Sequence, residues 1–173
     1  KNLRHKSARD GEWYYEMLEL GFNYRITDFQ CGLGINQLSK LDKFIKRRRE
    51  IVQIYNRDLS KLNGIELPIE KEGVKSAWHL YCVKIKNKGY GTNKSGLGNK
   101  RKKIFEALRK NGIGAHLHYI PVYLQPYYQR LGYGRGLCPL AEDYYNRAIT
   151  LPLYPKMRDK DVKSVVRILS NTL

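Results

Sequence analysis

The sequence predicts an α+β domain built from a long helix and a small, mostly antiparallel sheet. Three observations predict it. Residues 40–62 repeat apolar side chains at three- and four-residue spacing. Trp78–Lys86 and Ile113–Tyr119 alternate with period two, as half-buried strands do. Val162, Val165, Val166 and Leu169 form a stripe behind an acidic helix start at Asp159 and Asp161. The resulting order is helix, strand, helix, strand, helix, strand, helix, without an internal repeat, and 173 residues suffice for one domain with a core.

Residues 1–19 are expected to finish a helix, turn at Asp10-Gly11 and run into Trp13, Tyr14 and Tyr15, with Trp13 and Tyr15 filling a core or a subunit contact. Leu20–Gln30 then forms an aromatic-rich approach to a helix start. Thr27 and Gln30 have capping-box spacing, and Asp28 falls in the first turn, where the helix dipole favours a carboxylate. Asn23 and Arg25 alternate with Phe22 and Tyr24, so two anion-seeking side chains leave one side of an extended segment and two rings leave the other. That pattern suits a phosphate. In the helix that follows, to Gln37, Gly32 and Gly34 each cost about 1 kcal/mol relative to Ala, which points to a close approach by another backbone.

On the long helix Leu41, Phe44, Ile45, Ile51, Val52, Tyr55, Leu59 and Leu62 share a face. Arg47, Arg48 and Arg49 point in three directions and are expected on a solvated, ion-paired surface. Asn63-Gly64 ends the helix. In the first strand His79, Tyr81, Val83 and Ile85 share one face, and Trp78, Leu80 and Cys82 the other. Asn87–Asn99 is expected to be a mobile basic loop whose Gly-x-Gly lacks the setting of a dinucleotide site. A helix over Lys102–Lys110 stops at Asn111-Gly112, and the next strand puts His116 and His118 on one face. Pro121 and Pro126 are expected to break the chain before Cys138–Arg147 forms a helix, Ile149–Leu151 a short strand and Asp159–Leu169 the last helix.

Composition narrows the function. Thirty-three Lys and Arg against sixteen Asp and Glu give a net charge of +17, which raises nucleic acid as a partner. The basic residues are scattered over helices, strands and loops, so an anionic small substrate accounts for them better than a nucleic acid does. No apolar run approaches the roughly 20 residues of a membrane span, and the first residues carry no secretory pattern, so neither a membrane nor an export route is expected. Cys31, Cys82 and Cys138 are too few and too far apart for a disulfide framework or zinc site, which suggests a reducing, cytoplasmic setting.

Gly21-Phe-Asn-Tyr-Arg-Ile-Thr-Asp28, Gln30 and Leu33-Gly-Ile-Asn-Gln-Leu38 resemble a motif of the DegT/DnrJ/EryC1 sugar aminotransferases, and the resemblance continues through Leu41-Asp42 and Arg47–Ile51 to Pro155. His118-Tyr-Ile-Pro-Val-Tyr-Leu-Gln-Pro-Tyr-Tyr128, Cys138-Pro139, Ala141-Glu142 and Ala148–Pro155 resemble the branch that aminates a UDP-4-keto-6-deoxy-N-acetylhexosamine on the route to pseudaminic acid. The family resemblance implies the aspartate-aminotransferase architecture (fold type I) and the cofactor pyridoxal 5'-phosphate. Residues 1–26 would end the large cofactor domain, 27–62 would be connecting helices and 63–173 the C-terminal small domain. No lysine lies in the family's Schiff-base motif, so the resemblance places that lysine upstream and implies that this segment alone does not transaminate.

By the same resemblance, Asn23 reaches the cofactor phosphate of the partner in a homodimer with shared active sites, and Arg25 lies beside it. An amide N–H and a guanidinium fork are suitable donors to a phosphate. His118 and Tyr119 fall where the relatives contact the sugar, and Tyr123 is expected to line the nucleotide-sugar pocket; glutamate is the implied amino donor and a nucleotide-sugar the acceptor. The alternatives are another 4-keto-sugar aminotransferase or a sugar 3-dehydratase of the family, and, in a different class, a basic nucleic-acid-binding domain. The sequence departs from the family pattern at Arg158, where a Ser or Thr cap is usual, at Cys31-Gly32, which replaces two alanines, and in the basic loop.

Overall fold

In the computed structural model the described residues are 19–22, 24–86 and 94–173, with the side chains of 94–99 left aside. They fall into two compact units, one ending at Ser39 and one covering Lys40–Leu173.

The first unit carries α1, Asp28–Leu38. Its capping box is formed as the spacing predicts: the Gln30 N–H donates to Thr27 Oγ1 (3.3 Å) and the Thr27 N–H donates to Gln30 Oε1 (2.9 Å). None of its residues is buried. A Cβ added at Gly32 or Gly34 would meet nothing within 4 Å among the described residues, so the glycine pair faces no backbone neighbour within them.

The second unit contains α2 (Leu41–Leu59), β1 (Ile65–Glu66), β2 (Tyr81–Ile85), α3 (Lys94–Lys110), a 3₁₀ turn at Val122–Leu124, α4 (Pro126–Arg130), α5 (Pro139–Arg147), β3 (Ala148–Leu151) and α6 (Asp159–Ser170). The three strands form an antiparallel sheet in the order β1-β2-β3, with Ile65 opposite Ile85, Tyr81 opposite Leu151 and Cys82 opposite Thr150. Every residue of β3 is buried because α3 covers β3 while α5 packs against β2. α2 packs on α6, bringing Ile51, Val52, Tyr55 and Leu59 against Val162, Val165 and Leu169 in one core with the sheet.

The largest fully buried side chains in that core are two tyrosines, Tyr55 and Tyr81, stacked at 4.9 Å between ring centroids. A buried phenol needs a partner for its O–H. Tyr55 donates to the Pro152 carbonyl (2.9 Å) and Tyr81 to Asn56 Oδ1 (2.7 Å). Burial pushes both phenols up, so both remain donors across the physiological range.

The arginine cluster meets its sequence expectation in part: Arg47 is ion-paired with Glu50 and Asp159, and Arg49 with Glu70. The three guanidiniums do diverge, but they are half-buried and tie α2 to distant loops. Arg48 Nη1 donates to the carbonyls of Trp78, His79 and Leu153. Arg47 reaches Met157 O (2.6 Å) and Asp159 Oδ1 (2.7 Å), and Arg49 holds Glu70 through both guanidinium nitrogens and Ser76 O at 2.6 Å. A guanidinium fork satisfies several loop carbonyls at once, which an ammonium does less well.

Four stretches differ from what the patterns suggested. β2 begins at Tyr81 because Trp78 takes a positive φ of 49°, breaking the alternation and turning the indole into the core while His79 is exposed. α3 begins at Lys94, so the second half of the expected loop is helical; residues 87–93 lie outside the described set, as do Trp13 and Tyr15. Pro126 starts α4 at its first position instead of breaking the chain, as the missing N–H allows there. The expected strand at 113–119 is reduced to one bridge, His116 to Thr150. No helix among the described residues is long and apolar enough to cross a membrane.

Candidate functional site

The local sequence explains why residues 113–123 lie where they do. Asn111 and Gly112 end α3, Gly112 with φ +75, and Ala115 follows fully buried, fixing the chain at the free edge of β3. His116 then exchanges both backbone hydrogen bonds with Thr150, at 3.1 and 2.8 Å. Only one such pair forms, so the segment crosses the sheet edge and leaves.

Two residues further on, His118 turns its Nδ1 to Thr150 Oγ1 at 2.8 Å. Thr150 is a buried polar residue on an otherwise apolar strand, and its hydroxyl also meets Cys82 Sγ at 2.9 Å, directly across the β2–β3 pair. Behind the thiol stands Tyr144, whose phenol is pushed up to about 12 by burial and by its hydrogen bond to Cys82. A hydrogen-bonded row thus runs Cys82, Thr150, His118. The ring of Tyr119 lies edge-on to His118 at 4.6 Å and is 71% exposed, while the His116 ring is 6.1 Å from that of His118. His118 and Tyr119 are therefore brought together, one anchored beneath and the other open to solvent.

Tyr123 has a separate set of partners. Its phenol is engaged by Glu142 Oε1 (2.9 Å) and the Cys138 carbonyl (3.2 Å), and the same carboxylate oxygen accepts from the Gly136 N–H at 2.6 Å. Glu142 is buried, and burial together with this carboxylate raises the Tyr123 phenol above its ordinary range. The arrangement ties the 3₁₀ turn to the Gly132–Cys138 loop and to α5. Sequence reasoning singled out Tyr123 but gave Glu142 no role, because a glutamate in the first turn of a helix ordinarily reads as a dipole partner. It also passed over Thr150 and Cys82. The available signal was a hydroxyl residue inside the run Ala148-Ile-Thr-Leu, where a buried polar group needs partners.

Of the two residues expected at a phosphate, Asn23 lies outside the described residues. Arg25 belongs to the first unit and is exposed, and its guanidinium has no hydrogen bond or ion pair among the described residues. An exposed guanidinium without a partner among the described residues is compatible with a phosphate ligand.

The profile of the DegT/DnrJ/EryC1/StrS aminotransferase family matches residues 1–170. The chain is 45% identical over 160 residues to the uncharacterized protein MJ1066 of Methanocaldococcus jannaschii, covering 92% of this chain and 40% of that protein. It is 34% identical over 161 residues to the UDP-4-amino-4,6-dideoxy-N-acetyl-beta-L-altrosamine transaminase of Campylobacter jejuni, covering 93% and 40%. Among solved structures it is similar to the PLP form of the putative sugar aminotransferase Spr1654 from Streptococcus pneumoniae, with a TM-score of 0.79 and 27% identity over 92% of this chain and 39% of that one. The chain thus spans about 40% of the length of the relatives it matches. A profile match across nearly the whole chain, on an α+β unit that these structures share, places it in the DegT/DnrJ/EryC1/StrS aminotransferase family.

Proposed function

We propose that this chain is the C-terminal part of a pyridoxal-phosphate-dependent nucleotide-sugar aminotransferase. The amino group would come from glutamate and go to a UDP-linked 4-keto-6-deoxy-N-acetylhexosamine. The observation that carries the proposal is the family match over residues 1–170, joined to 34% identity with a transaminase named for a UDP-4-amino-4,6-dideoxy sugar. Pyridoxal phosphate, when bound, supplies the electron sink for moving an amino group.

The residues of this chain do the holding and orienting. Asn23 and Arg25 bind the cofactor phosphate of the neighbouring protomer, the amide as a neutral donor and the guanidinium as a bidentate charge. Arg25 is exposed and makes no hydrogen bond or ion pair among the described residues, which fits that role. His118 and Tyr119 face the sugar: the imidazole hydrogen-bonds an oxygen, and the Tyr119 ring offers a flat apolar wall and an O–H. Tyr123, with its hydroxyl engaged by Glu142, shapes the wall of the pocket through its ring. Such placement contributes by fixing the acceptor's orientation, and small displacements of it are costly in rate.

The experiment joins the chain to the upstream part of its gene product and compares wild type with Asn23→Ala. The expected result is a large loss of cofactor retention on gel filtration, with turnover falling in parallel. Unchanged retention and turnover would remove Asn23 from the phosphate site.

A further inference from the structure

The row Cys82, Thr150, His118 fixes something the family reading leaves open, namely which imidazole nitrogen carries the proton. Thr150 Oγ1 lies 2.8 Å from His118 Nδ1 and 2.9 Å from Cys82 Sγ, and the hydroxyl has a single proton to give. Two orders are available. In one, the thiol donates to Oγ1 and the hydroxyl donates to Nδ1. In the other, Nδ1–H donates to Oγ1 and the hydroxyl donates to sulfur. A neutral thiol is a weak acceptor, whereas an imidazole nitrogen with a free lone pair is a strong one. The first order therefore places the strongest bond of the row at the histidine. Thr150 is 5% exposed, so no bulk water competes for its hydroxyl.

We infer that Thr150 is a positioning residue that locks His118 as the Nε2–H tautomer and thereby presents a fixed hydrogen-bond donor to an acceptor oxygen of the ligand. The lock is a property of this chain alone. Its use on a nucleotide-sugar rests on the function proposed above. A donor at Nε2 selects a lone-pair-bearing oxygen, such as a sugar hydroxyl, an acetamido carbonyl or a diphosphate, and discriminates against a hydrogen at that position.

The test reads the tautomer directly. Long-range ¹H–¹⁵N correlation spectra of the labelled full chain are recorded at pH about 8.5, where an ordinary imidazole of pKa about 6.5 is neutral. His118 is assigned from its absence in His118→Gln. The expected result is a pyridine-type Nδ1 and a pyrrole-type Nε2 in the wild type and in Thr150→Ser. In Thr150→Val, where the hydroxyl is gone, both nitrogens should move toward averaged shifts. A pyrrole-type Nδ1 in the wild type, or a Thr150→Val spectrum unchanged at His118, overturns the inference. The wild-type and Thr150→Ser spectra decide it even if Thr150→Val fails to fold.

A separate arm uses the chain joined to its upstream part. His118→Asn, which keeps an N–H near the Nδ1 position, should raise KM for the UDP-sugar about tenfold more than His118→Gln, which keeps one near Nε2, a difference of about 1.4 kcal/mol. Equal effects of the two variants, with the tautomer spectra as expected, would overturn the donor role toward the sugar and leave the lock standing.

Discussion

α1 buries none of its residues, whereas α2 buries Ile51, Val52, Tyr55 and Leu59. Yet the two are consecutive in sequence, and α1 has the better N-terminus: Thr27 and Gln30 close a capping box, while Lys40 at the start of α2 makes no side-chain cap. The difference separates two sources of helicity. α1 is specified locally, by its cap and by Asp28 in the first turn. α2 is specified by tertiary burial against α6 and the sheet. A helix of 11 residues held only by local terms is marginal in water, whereas α2 is held by its packing in the core. The segment expected to meet a phosphate, from Phe22 to Arg25, lies on the locally specified side.

The largest expected effect sharpens that contrast. Leu59→Ala removes a fully buried side chain and should cost about 2–5 kcal/mol, read as a drop in the urea midpoint followed by Trp78 fluorescence. Leu33→Ala on α1, at a residue 55% exposed, should stay within about 0.5 kcal/mol in the same experiment. A large loss at Leu33 would mean that α1 is cooperative with the core.

Next in size is Arg48→Met. It keeps much of the aliphatic stem but leaves the carbonyls of Trp78, His79 and Leu153 without their donor, and about 3 kcal/mol should be lost. Arg48→Lys should recover less than half of that loss, because one ammonium does not reproduce the guanidinium geometry. Full recovery by lysine would reduce the site to a simple charge.

Thr27→Ala should destabilise α1 by about 1 kcal/mol. The effect should appear as faster amide exchange over Asp28–Leu38 while the urea midpoint of the core stays fixed. Simultaneous loss of protection in α2 would break the division between the two helices.

The smallest effect is one of pH. The Arg158 guanidinium and the Arg158 N–H lower Asp161 to about 2, from an ordinary value of 3.8. A carboxyl whose folded value is depressed stabilises the fold above its unfolded value, and that contribution is lost as pH falls through the folded one. The cap of α6 should therefore weaken between pH about 4 and about 2. In Asp161→Asn the urea midpoint should change less over that window than in the wild type. An equal or steeper acid dependence in the variant would assign the loss to other carboxylates.

What was legible in the sequence follows the range of the interactions. The capping box at Thr27 and Gln30, the buried stripe of α2 and the apolar face of α6 depend on residues three or four apart, and their patterns were readable. The antiparallel β2–β3 pair was readable as alternation and as an apolar run. Trp78 was not, because a positive φ at a non-glycine residue has no signature in the alternation around it. The 113–119 strand failed for a related reason: its pattern was right, but a strand needs a partner along its length and Thr150 supplies only one bridge. The functional surroundings were the least visible. His118 and Tyr119 came from resemblance, while Thr150 and Cys82, 32 and 36 residues from His118, become its supports only when the sheet forms. Arg47, Arg48 and Arg49 looked like surface charge because nothing local reveals that their acceptors are loop carbonyls far along the chain.

The central claim, that this chain serves a nucleotide-sugar aminotransferase, is tested most directly by one assay. The chain joined to its upstream part is given pyridoxal phosphate, glutamate and UDP-4-keto-6-deoxy-N-acetylhexosamine, and the products are resolved by mass spectrometry. The account predicts 2-oxoglutarate and a UDP-4-amino-4,6-dideoxy sugar in equal amounts, both abolished by Asn23→Ala with Arg25→Met. A protein that binds the cofactor yet yields a dehydrated sugar, or no sugar product with any 4-keto nucleotide-sugar, would contradict it.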